Sequence, residues 1–439
     1  MATTGGKSSK KPRGIGNGET ARDQTMSEED RTETVDVLIA GAGHAGAQTA
    51  IALRREGFGG SILIVGLESD LPYERPPLSK DYLIGSKPFE TMLIRPRAFY
   101  EAQHIQLCLG MKVEGVDPGN RRAMLSDASS IVYGALVWAA GGTPRRLACS
   151  GHDLPSVHAI RTRSDVDRFR SELPDVRNVV VVGGGYIGLE AAAALRKLGK
   201  DVTIVEMQDR VLARVAGEPL SRFYETEHRR HGVKLRLGEG VECIEEEDCL
   251  LSAVRLAGGE RLPADAVVVG VGIVPETGVL VAAGAACANG IDVDEFCRTS
   301  LPAIFAVGDV ARHRNRYASF QWVRIESVQN AADQAATVAR YLAGKPSAYD
   351  AVPWFWSTQY DLRLQTVGLT QGYDDLIVRG DMSAGSFSVI YFRERKVIAL
   401  DCVNASRDYV QGKALVALGA EPDRASLLDI TVPLKSLAH

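Results

Sequence analysis

The sequence predicts an α/β fold in which one strand–glycine–helix–strand unit occurs twice, followed by a C-terminal α+β domain. From about residue 35 onward, short β-branched runs alternate with helical patterns, as in a doubly wound parallel sheet. The unit contains a glycine-rich turn at Gly41 and again at Gly183. Beyond Pro353, apolar and polar residues alternate as they do in antiparallel sheets. These observations predict two similar domains and a third of different architecture.

The elements follow from these patterns. Residues 1–33 are rich in Gly, Ser, Thr, Lys and acidic residues without apolar periodicity, so we expect a disordered tail. The second unit is predicted at Val179–Glu206. The other predicted elements are strands at Val35–Ala40, Ile62–Val65, Phe387–Phe392 and Lys396–Val403, and helices at Ala45–Arg55 and near Gln411–Leu418.

Composition and charge restrict the class of protein. Of 439 residues, 45% are hydrophobic and 24% charged, and the formal net charge is −4. A charge so near balance argues against binding to nucleic acid or to a membrane surface. The longest apolar runs, such as Val179–Val182 and Ala266–Val274, are too short to span a bilayer. The seven cysteines form no Cys-x-x-Cys pair and no zinc-ligand spacing, which favours reduced thiols, no metal site and a cytoplasmic protein.

A glycine fingerprint follows the first predicted strand. Gly41 permits the tight turn, Gly43 lets the main chain approach a pyrophosphate, and Gly46 brings helix and strand together. An acid that suits a ribose hydroxyl pair follows at Glu68. Alone the motif is weak, because glycine-rich turns also arise for packing reasons.

The second unit repeats the fingerprint with Gly183, Gly185 and Gly188, and Glu206 closes its next strand. Two complete fingerprints in one chain predict Rossmann-like domains for two dinucleotides. A carboxylate at Glu206 would accept both ribose hydroxyls of NADH and repel the extra phosphate of NADPH by several kcal/mol, at ~4 Å and an effective dielectric of about 20. Arg210, close by in sequence, is interpreted as part of a surface ion pair.

Five further motifs carry a family resemblance. They are Arg75-Pro-Pro-Leu-Ser-Lys80, Leu189-Glu190, Ala306-Val-Gly-Asp309, Trp322-Val-Arg-Ile-Glu326-Ser and Pro353-Trp354-Phe-Trp356-Ser. In their order and spacing they resemble the FAD-dependent NADH:ferredoxin reductases of bacterial oxygenase systems, the family of putidaredoxin reductase and of the aromatic-ring dioxygenase reductases. The likeness covers the chain from about Val35 to the ending Val432-Pro-Leu-Lys435.

The resemblance implies a glutathione-reductase-like architecture. An FAD-binding domain would comprise residues 34–151 and 265–352. An NADH-binding domain, 152–264, would be inserted between these segments, and residues 353–439 would form the C-terminal α+β domain.

The resemblance also implies roles for residues near the cofactors. The first fingerprint would hold the FAD pyrophosphate, Asp309 the ribityl chain, and the helix beginning near Ser327 would point its N-terminus at the flavin. Lys80 and Glu190 would pair beside the reactive ring nitrogen, although the residues alone suggest a solvated lysine and a helix-surface acid. The other residues implied in FAD or NADH binding are Ala45, Arg75, Ala140, Gly141, Arg145, Val328, Ile187, Arg214, Gly272 and Trp356.

Trp354 and Trp356 would cover the flavin edge, and two tryptophans this close also suit an interdomain core. Three departures from the family pattern affect cofactor affinity and flavin potential. Leu67 stands where the family often has Asp, Ala140 replaces a Thr, and Thr358 replaces an Asp.

The implied reaction is hydride transfer from NADH to FAD, followed by single-electron transfer to a 2Fe–2S ferredoxin that serves a Rieske oxygenase or haem monooxygenase. No cysteine lies between Gly41 and Cys108, where disulfide reductases and peroxidases of this fold carry theirs, so electrons would leave directly from the flavin. Alternatives are a reductase of monodehydroascorbate, a quinone or rubredoxin, and a redox-gated binding protein like apoptosis-inducing factor. The near-neutral charge argues against the last.

The run Arg312, Arg314 and Arg316 follows Asp309 in a predicted loop. It would form a basic patch that steers an acidic ferredoxin. A solvated loop of charges is an equally good interpretation.

Overall fold

The computed structural model describes residues 32–248 and 250–438 as three domains around one large cavity. Residues 1–31, most of the predicted disordered tail, lie outside this description. Thr32 and Glu33 already belong to the first strand, because they pair with Ser130 and Ile131 of a neighbouring strand. This strand therefore starts three residues before the predicted Val35.

The first stretch of the chain forms most of the first domain. Its apolar runs are buried strands, and its first helix begins directly after Gly43. The elements are β1 (Thr32–Ala40), α1 (His44–Arg55), β2 (Ile62–Gly66), a 3₁₀ turn (Pro76–Ser79), α2 (Asp81–Ile84), a 3₁₀ turn (Phe89–Met92), α3 (Arg97–Ala102), β3 (Ile105–Leu109), β4 (Val113–Asp117), β5 (Arg122–Leu125), β6 (Ser130–Trp138) and β7 (Gly142–Pro144).

The second domain repeats the strand–helix plan and adds an antiparallel layer. Its elements are β8 (Val157–Ala159), α4 (Arg163–Glu172), β9 (Asn178–Val182), α5 (Tyr186–Lys197), β10 (Asp201–Glu206), α6 (Glu218–Arg230), β11 (Lys234–Leu237), β12 (Val241–Glu247), β13 (Leu250–Leu256), β14 (Arg261–Pro263) and β15 (Ala266–Val269).

The chain then returns to the first domain. The elements of this return are β16 (Ile273–Pro275), α7 (Gly278–Ala282), β17 (Cys287–Ala288), β18 (Gly290–Val293), β19 (Ile304–Ala306), a 3₁₀ turn (Gly308–Val310), β20 (Ala311–Asn315), a 3₁₀ turn (Arg316–Ala318), β21 (Gln321–Arg324) and α8 (Val328–Leu342).

The first sheet has the order β3-β2-β1-β6-β5-β4, and β19 also pairs with β6. This sheet divides at β6, whose first half pairs with β5 antiparallel and whose last residues pair with β19 parallel. The second sheet is wholly parallel, with the order β11-β10-β9-β15-β8. Because β15 lies inside that sheet, the second domain extends to Val269, and the predicted boundary at residue 264 is five residues too early.

The third domain is an antiparallel sheet of order β22-β23-β26-β25-β24. The antiparallel sheet was predicted, and Lys396–Val403 is a strand with the predicted bounds. Its central strands are buried on both faces, because Phe387 and Tyr391 pack with the second domain while Ile390 packs with the helix at Ser406–Leu418. Its elements are β22 (Trp354–Gln359), β23 (Leu362–Gly368), β24 (Asp375–Asp381), β25 (Ser386–Arg393), β26 (Lys396–Val403), α9 (Ser406–Leu418), α10 (Arg424–Leu428) and a 3₁₀ turn (Leu434–Leu437).

The second and third domains share one hydrophobic core. Val179, Leu189 and Tyr224 of the second domain pack in the same cluster as Phe387 and Tyr391 of the third. Burial of such large apolar side chains is the dominant stabilising contribution to an interface of this kind. The third domain is therefore held against the second and faces the cavity between the first two.

Among residues 32–248 and 250–438, no helix is both long enough and apolar enough to cross a bilayer.

Candidate functional site

The cavity lies where the parallel strands of the first two sheets end. Residues at or next to the ends of these strands, including Ala40, Val65, Val182 and Val205, line it. This is the edge at which open α/β sheets bind ligands. Its volume is about 2010 Å³, twice the upper end of the ~300–1,000 Å³ typical of a small-molecule site, so there is room for two dinucleotides.

Every residue that the sequence nominated for cofactor binding or catalysis lines this cavity, except the third glycine of each fingerprint. The residues brought together are Gly41, Gly43, Ala45, Glu68, Arg75, Lys80, Ala140, Gly141, Arg145, Gly183, Gly185, Ile187, Glu190, Glu206, Arg214, Gly272, Asp309, Ser327, Val328 and Trp356.

The first fingerprint has the geometry that its glycines require. Gly41 has φ +117°, and a Cβ there would lie 2.3 Å from the carbonyl oxygen of Ala139. A Cβ on Gly46 would lie 1.8 Å from the carbonyl oxygen of Gly41, so this glycine lets α1 pack on the turn. Gly43 faces open space, with its nearest neighbour Arg75 4.0 Å away. The main chain at Gly43 is thus free for close approach of a ligand.

The second fingerprint repeats this arrangement. Gly183 has φ +108°, with Gly270 O 2.5 Å from its hypothetical Cβ, and Gly188 would clash with Gly183 O at 2.0 Å. No atom lies within 4 Å of a Cβ on Gly185. In both units the first and third glycines are needed for the fold, whereas the second is needed only if something binds.

The two acids that follow the fingerprints have different surroundings. Glu68 forms an ion pair with Arg75 at 2.6 Å and accepts a hydrogen bond from the Tyr73 hydroxyl. Glu206 has main-chain donors, Gly184 N at 2.6 Å and Gln208 N at 2.8 Å. Because both oxygens of Glu206 are held by N–H groups, its carboxylate is fixed at the cavity wall.

Arg210 is not in an ion pair within the described part of the chain. Its guanidinium donates to the carbonyl oxygen of Ala216 at 2.8 Å and to Ser221 Oγ at 2.6 Å. The predicted surface ion pair is therefore wrong, and Arg210 instead ties down the loop that precedes α6.

Basic residues lie beside the first fingerprint, and the sequence nominated only some of them. Arg75 donates to the carbonyl oxygen of Arg161 at 2.6 Å, and Arg161 lies 3.5 Å from Asp309. His44, the first residue of α1, also lines the cavity. Burial, together with the positive charges of Arg75 and Arg161, lowers the pKa of His44 to about 4, so it is neutral near pH 7.

Sequence reasoning missed Arg161 and His44. Arg161 follows strand β8 by two residues, and residues at the ends of parallel strands are the positions that face a ligand. His44 occupies a variable position inside the fingerprint, and its neighbours Arg75 and Arg161 are remote in sequence. Its burial was therefore not visible in the local pattern.

The crossover between the domains contributes main-chain groups. β7 and β16 pair antiparallel, and Arg145 N donates to Gly272 O at 2.9 Å. Gly141 has φ +64°, and its Cβ would lie 3.0 Å from the Arg161 guanidinium. These contacts place both connections between the two domains against the cavity.

The buried ion pair at the centre of the site joins all three domains. Lys80 Nζ lies 2.8 Å from Glu190 Oε2, and the Glu190 side chain is only 2% exposed. Glu190 also accepts from Ser79 Oγ and from Ser357 Oγ, each at 2.6 Å. Lys80 is therefore not a solvated lysine, and Glu190 is not a helix-surface acid. Ser79 was missed as a partner because its contact with Glu190 spans 111 residues.

Helix α8 points its N-terminus at the cavity. Ser327 caps it by accepting from Asn330 N at 3.0 Å, and Ser327 and Val328 both line the cavity. Trp354 and Trp356 stand beside it, 5.6 Å apart between ring centroids and partly buried. An aromatic wall next to a positive helix end suits a planar ligand that carries negative charge.

The basic run lies outside the cavity and is not a loop. Arg312 and Arg314 belong to strand β20, while Arg316 begins a 3₁₀ turn. Arg312 pairs with Asp292 at 2.9 Å and Arg316 with Asp350 at 2.7 Å. Arg314 is exposed and stacks over Trp322 at 5.4 Å, and among the described residues it has no carboxylate partner.

These features fit two dinucleotides. Both fingerprints hold an open main-chain position at a helix N-terminus, where a pyrophosphate binds. Arginines stand beside the first, and a fixed carboxylate stands beside the second. A lysine that is 16% exposed and paired with a buried glutamate, a helix N-terminus and an aromatic wall meet between them. The fold and the site together define an oxidoreductase that uses a flavin and a nicotinamide dinucleotide.

Comparison with known proteins agrees with this class. Residues 35–335 match the pyridine nucleotide-disulphide oxidoreductase family, and residues 354–438 match the reductase C-terminal domain. The chain is 57% identical over 404 residues to a ferredoxin–NAD(P)⁺ reductase of Sphingomonas sp., covering 91% of this chain and 97% of the relative. It is 55% identical over 403 residues to the ferredoxin reductase subunit of the 5,5′-dehydrodivanillate O-demethylase of Sphingobium sp., covering 92% and 98%.

Among solved structures, the covalent putidaredoxin reductase–putidaredoxin complex matches with a TM-score of 0.89 and 40% identity, covering 92% of this chain and 98% of that chain. This chain belongs to the pyridine nucleotide-disulphide oxidoreductases and, within them, to the ferredoxin reductases. The predicted family and fold class are confirmed, and the cofactors of this family are FAD and NAD(P)H.

Proposed function

We propose that the chain takes a hydride from NADH onto FAD and passes single electrons to a 2Fe–2S ferredoxin that serves a Rieske oxygenase or haem monooxygenase. The observation that carries this proposal is the single cavity in which both fingerprints converge on the buried Lys80–Glu190 pair. No cysteine stands between Gly41 and Cys108 to take over the reducing equivalents. Bound FAD supplies both the two-electron acceptance and the one-electron release.

In this proposal the chain's own residues bind and orient. The main chain at Gly43 and Gly185 would hold the two pyrophosphates at the N-termini of α1 and α5. Asp309 would accept hydrogen bonds from ribityl hydroxyls, and the N-terminus of α8 would stabilise negative charge on the flavin. Trp356 would exclude water from its edge.

Lys80 would hold a positive charge beside the flavin, and Glu190 would fix its position. Lys80 Nζ has a second acceptor, the carbonyl oxygen of Pro76 at 3.4 Å, so its ammonium is held from two sides. A cation in a desolvated site acts more strongly on nearby charge than one in water does. This pair would therefore favour electron arrival on the cofactor.

Glu206 would select NADH over NADPH. Its oxygens are held by main-chain N–H groups rather than by an arginine, so its negative charge is not neutralised by an ion pair. Because ribose hydroxyls can donate to such a carboxylate whereas a phosphate is repelled by it, we expect NADH to be preferred.

The ferredoxin would dock near Arg314, with Arg312 and Arg316 alongside. Only Arg314 of the three offers an exposed guanidinium with no carboxylate partner in the described residues. An acidic protein would be attracted to such a charge.

We also propose that the protein is cytoplasmic, where NADH is regenerated.

An anaerobic stopped-flow experiment tests the acceptor. The FAD-loaded protein is reduced with NADH and mixed with a 2Fe–2S ferredoxin, a rubredoxin or a quinone. Transfer to the 2Fe–2S ferredoxin should be much faster than to the other two. If several ferredoxins react slowly while the quinone reacts fast, the chain is a small-acceptor reductase.

The Arg314→Glu variant tests the docking site. We expect about a tenfold slower reduction of ferredoxin at low salt, because charge reversal mainly lowers the association rate, with an unchanged rate toward an uncharged dye. The matched control is Arg177→Glu, an arginine 82% exposed that precedes β9, at the sheet edge opposite the cavity. Equal loss in both variants, or equal loss with both acceptors, would contradict the docking site.

A further inference from the structure

The donors that hold Glu190 continue through the protein as a buried chain of hydrogen bonds. Ser357 Oγ donates to Glu190 Oε1 at 2.6 Å, and Gln359 Nε2 donates to Ser357 Oγ at 3.2 Å. Gln359 Oε1 meets His228 Nε2 at 2.9 Å, and His228 Nδ1 meets the Tyr360 hydroxyl at 2.9 Å. Ser357, Gln359 and His228 are each at most 1% exposed.

All hydrogen bonds in this buried chain run in the same direction. Because Gln359 uses its amide nitrogen toward Ser357, it presents its oxygen to His228, so His228 Nε2 must carry the proton. Nδ1 of the neutral ring is then an acceptor, and the Tyr360 hydroxyl donates to it. Burial lowers the pKa of His228 to about 4, which keeps the ring neutral near pH 7. Every member therefore donates toward Glu190.

The hydrogen-bond chain connects two domains. His228 lies in α6 of the second domain, whereas Ser357 and Gln359 lie in β22 of the third. Tyr360 follows β22 in the left-handed region, with φ +55°, which is uncommon for a residue with a side chain. Its ring stacks on His231 at 3.7 Å. The turn is thus held in a costly conformation that delivers its hydroxyl to His228.

We propose that His228 and Gln359 are positioning residues that, through Ser357, fix the orientation of Glu190 and hence of Lys80. Aligned donors polarise one another, and the charged acceptor at the end gains most from this. The amide of Gln359 does not take up or release a proton near neutral pH, so the chain orients Glu190 and does not conduct protons. This inference rests on the proposed role of Lys80 beside the flavin.

The first test compares His228→Leu, which removes both ring nitrogens, with His228→Gln, which keeps a donor toward Gln359. In His228→Leu we expect FAD reduction at saturating NADH to slow about tenfold, the effect of losing one hydrogen bond in a chain that ends on a charge, with NADH affinity within about twofold of native. His228→Gln should recover most of the rate. The FAD midpoint potential should fall in His228→Leu and return in His228→Gln.

His231→Phe is the matched control. His231 directly follows the same helix, and its Nδ1 meets the carbonyl oxygen of Glu227 rather than a member of the hydrogen-bond chain. Phenylalanine keeps an aromatic ring to stack on Tyr360, so this variant should keep the native rate and potential. The proposal is overturned if His228→Leu is within twofold of native, if His228→Gln is as slow as His228→Leu, or if His231→Phe loses as much.

A second measurement does not depend on the folding of any variant. Nitrogen-15 NMR of the histidine-labelled native protein reports which ring nitrogen of His228 is protonated. The chain requires the Nε2–H tautomer, and an Nδ1–H tautomer overturns it. Lys80→Met separates the two proposals: a native rate in this variant refutes the role of the ion pair, whereas a slow rate beside a native His228→Leu refutes only the chain.

Discussion

The two fingerprints have the same main-chain design but different charge around them. Arg75 and Arg161 stand beside the first, and its acid, Glu68, is neutralised by Arg75. At the second, the acid Glu206 is held by main-chain N–H groups instead of by an arginine. Partly exposed arginines such as these strengthen the hold on a pyrophosphate, because charge-assisted bonds are about twice as strong as neutral ones. The difference suits a cofactor that stays in the first site and one that exchanges at the second.

The sharpest way to separate the two sites is to add one methyl group to each. A Cβ on Gly43 or Gly185 meets nothing closer than 4.0 Å in the protein itself, so both variants should fold. Gly43→Ala should lose most of its FAD, while Gly185→Ala should keep FAD and bind NADH at least about tenfold more weakly, because a Cβ blocks the close approach of a pyrophosphate.

The ratio of FAD absorbance to protein and an NADH titration measure these effects. Gly59→Ala is the control that should change neither, because Gly59 is equally open and no residue between Ala45 and Val65 lines the cavity. Retention of both ligands in Gly43→Ala and Gly185→Ala would mean that the fingerprints have a packing role only.

Replacing the two acids should have smaller effects, and each replacement should affect a different cofactor. Glu206→Ala should raise the Michaelis constant for NADH about tenfold and narrow the preference over NADPH, because the fixed carboxylate and its repulsion are both lost. Glu68→Ala should loosen FAD and leave the nicotinamide preference unchanged. Steady-state kinetics with both nucleotides measure the ratio, and an unchanged ratio in Glu206→Ala would refute its assignment.

The smallest expected effect concerns Asp401 of the third domain, which is linked through Tyr391 to Gly217 of the second domain. Asp401 is 1% exposed and accepts from the Tyr391 hydroxyl at 2.6 Å, while that hydroxyl accepts from Gly217 N at 3.0 Å. Burial raises the pKa of Asp401 to about 7, against the opposing effect of the Tyr391 hydrogen bond. The folded protein therefore holds a proton that the unfolded chain has released above about pH 4.

Between these two pKa values the folded state binds more protons, so stability falls as pH rises toward about 7 and is not recovered above it. Asp401→Asn should remove this dependence and raise the melting temperature by a few degrees at about pH 8, with a smaller difference at about pH 5. Thermal unfolding at the two pH values measures it. Asp175→Asn, an exposed aspartate, should change neither value; equal curves for Asp401→Asn and native protein would count against the buried acid.

The parts of the fold that local sequence encodes were predictable. The glycine turns, the β-branched strands and α1 follow from patterns within a few residues, and α1 differs from its prediction by one residue. The boundary at residue 264 failed because the apolar run Ala266–Val269 suits either parallel sheet equally well. Only its pairing with β9 and β8 decides the matter.

The site was predictable only where a motif names the residue. The glycines were predicted from the fingerprint motif, and Lys80 and Glu190 were predicted from the family resemblance. Arg161 meets Asp309 across 148 residues, and His228 meets Gln359 across 131. No local pattern encodes such contacts, because they depend on how three domains are placed against one another.

The position of Glu190 limits how this protein could be recombined. Its carboxylate is supplied by one domain and its donors Ser79, Lys80 and Ser357 by the other two. A hybrid made by exchanging any single domain between distant relatives must therefore restore this junction as well as the surface around it. The strand–helix unit is repeated in two domains, but the Lys80–Glu190 site is formed where three domains meet. Engineering of new cofactor or acceptor preferences will succeed more readily by altering residues within a domain than by transplanting one.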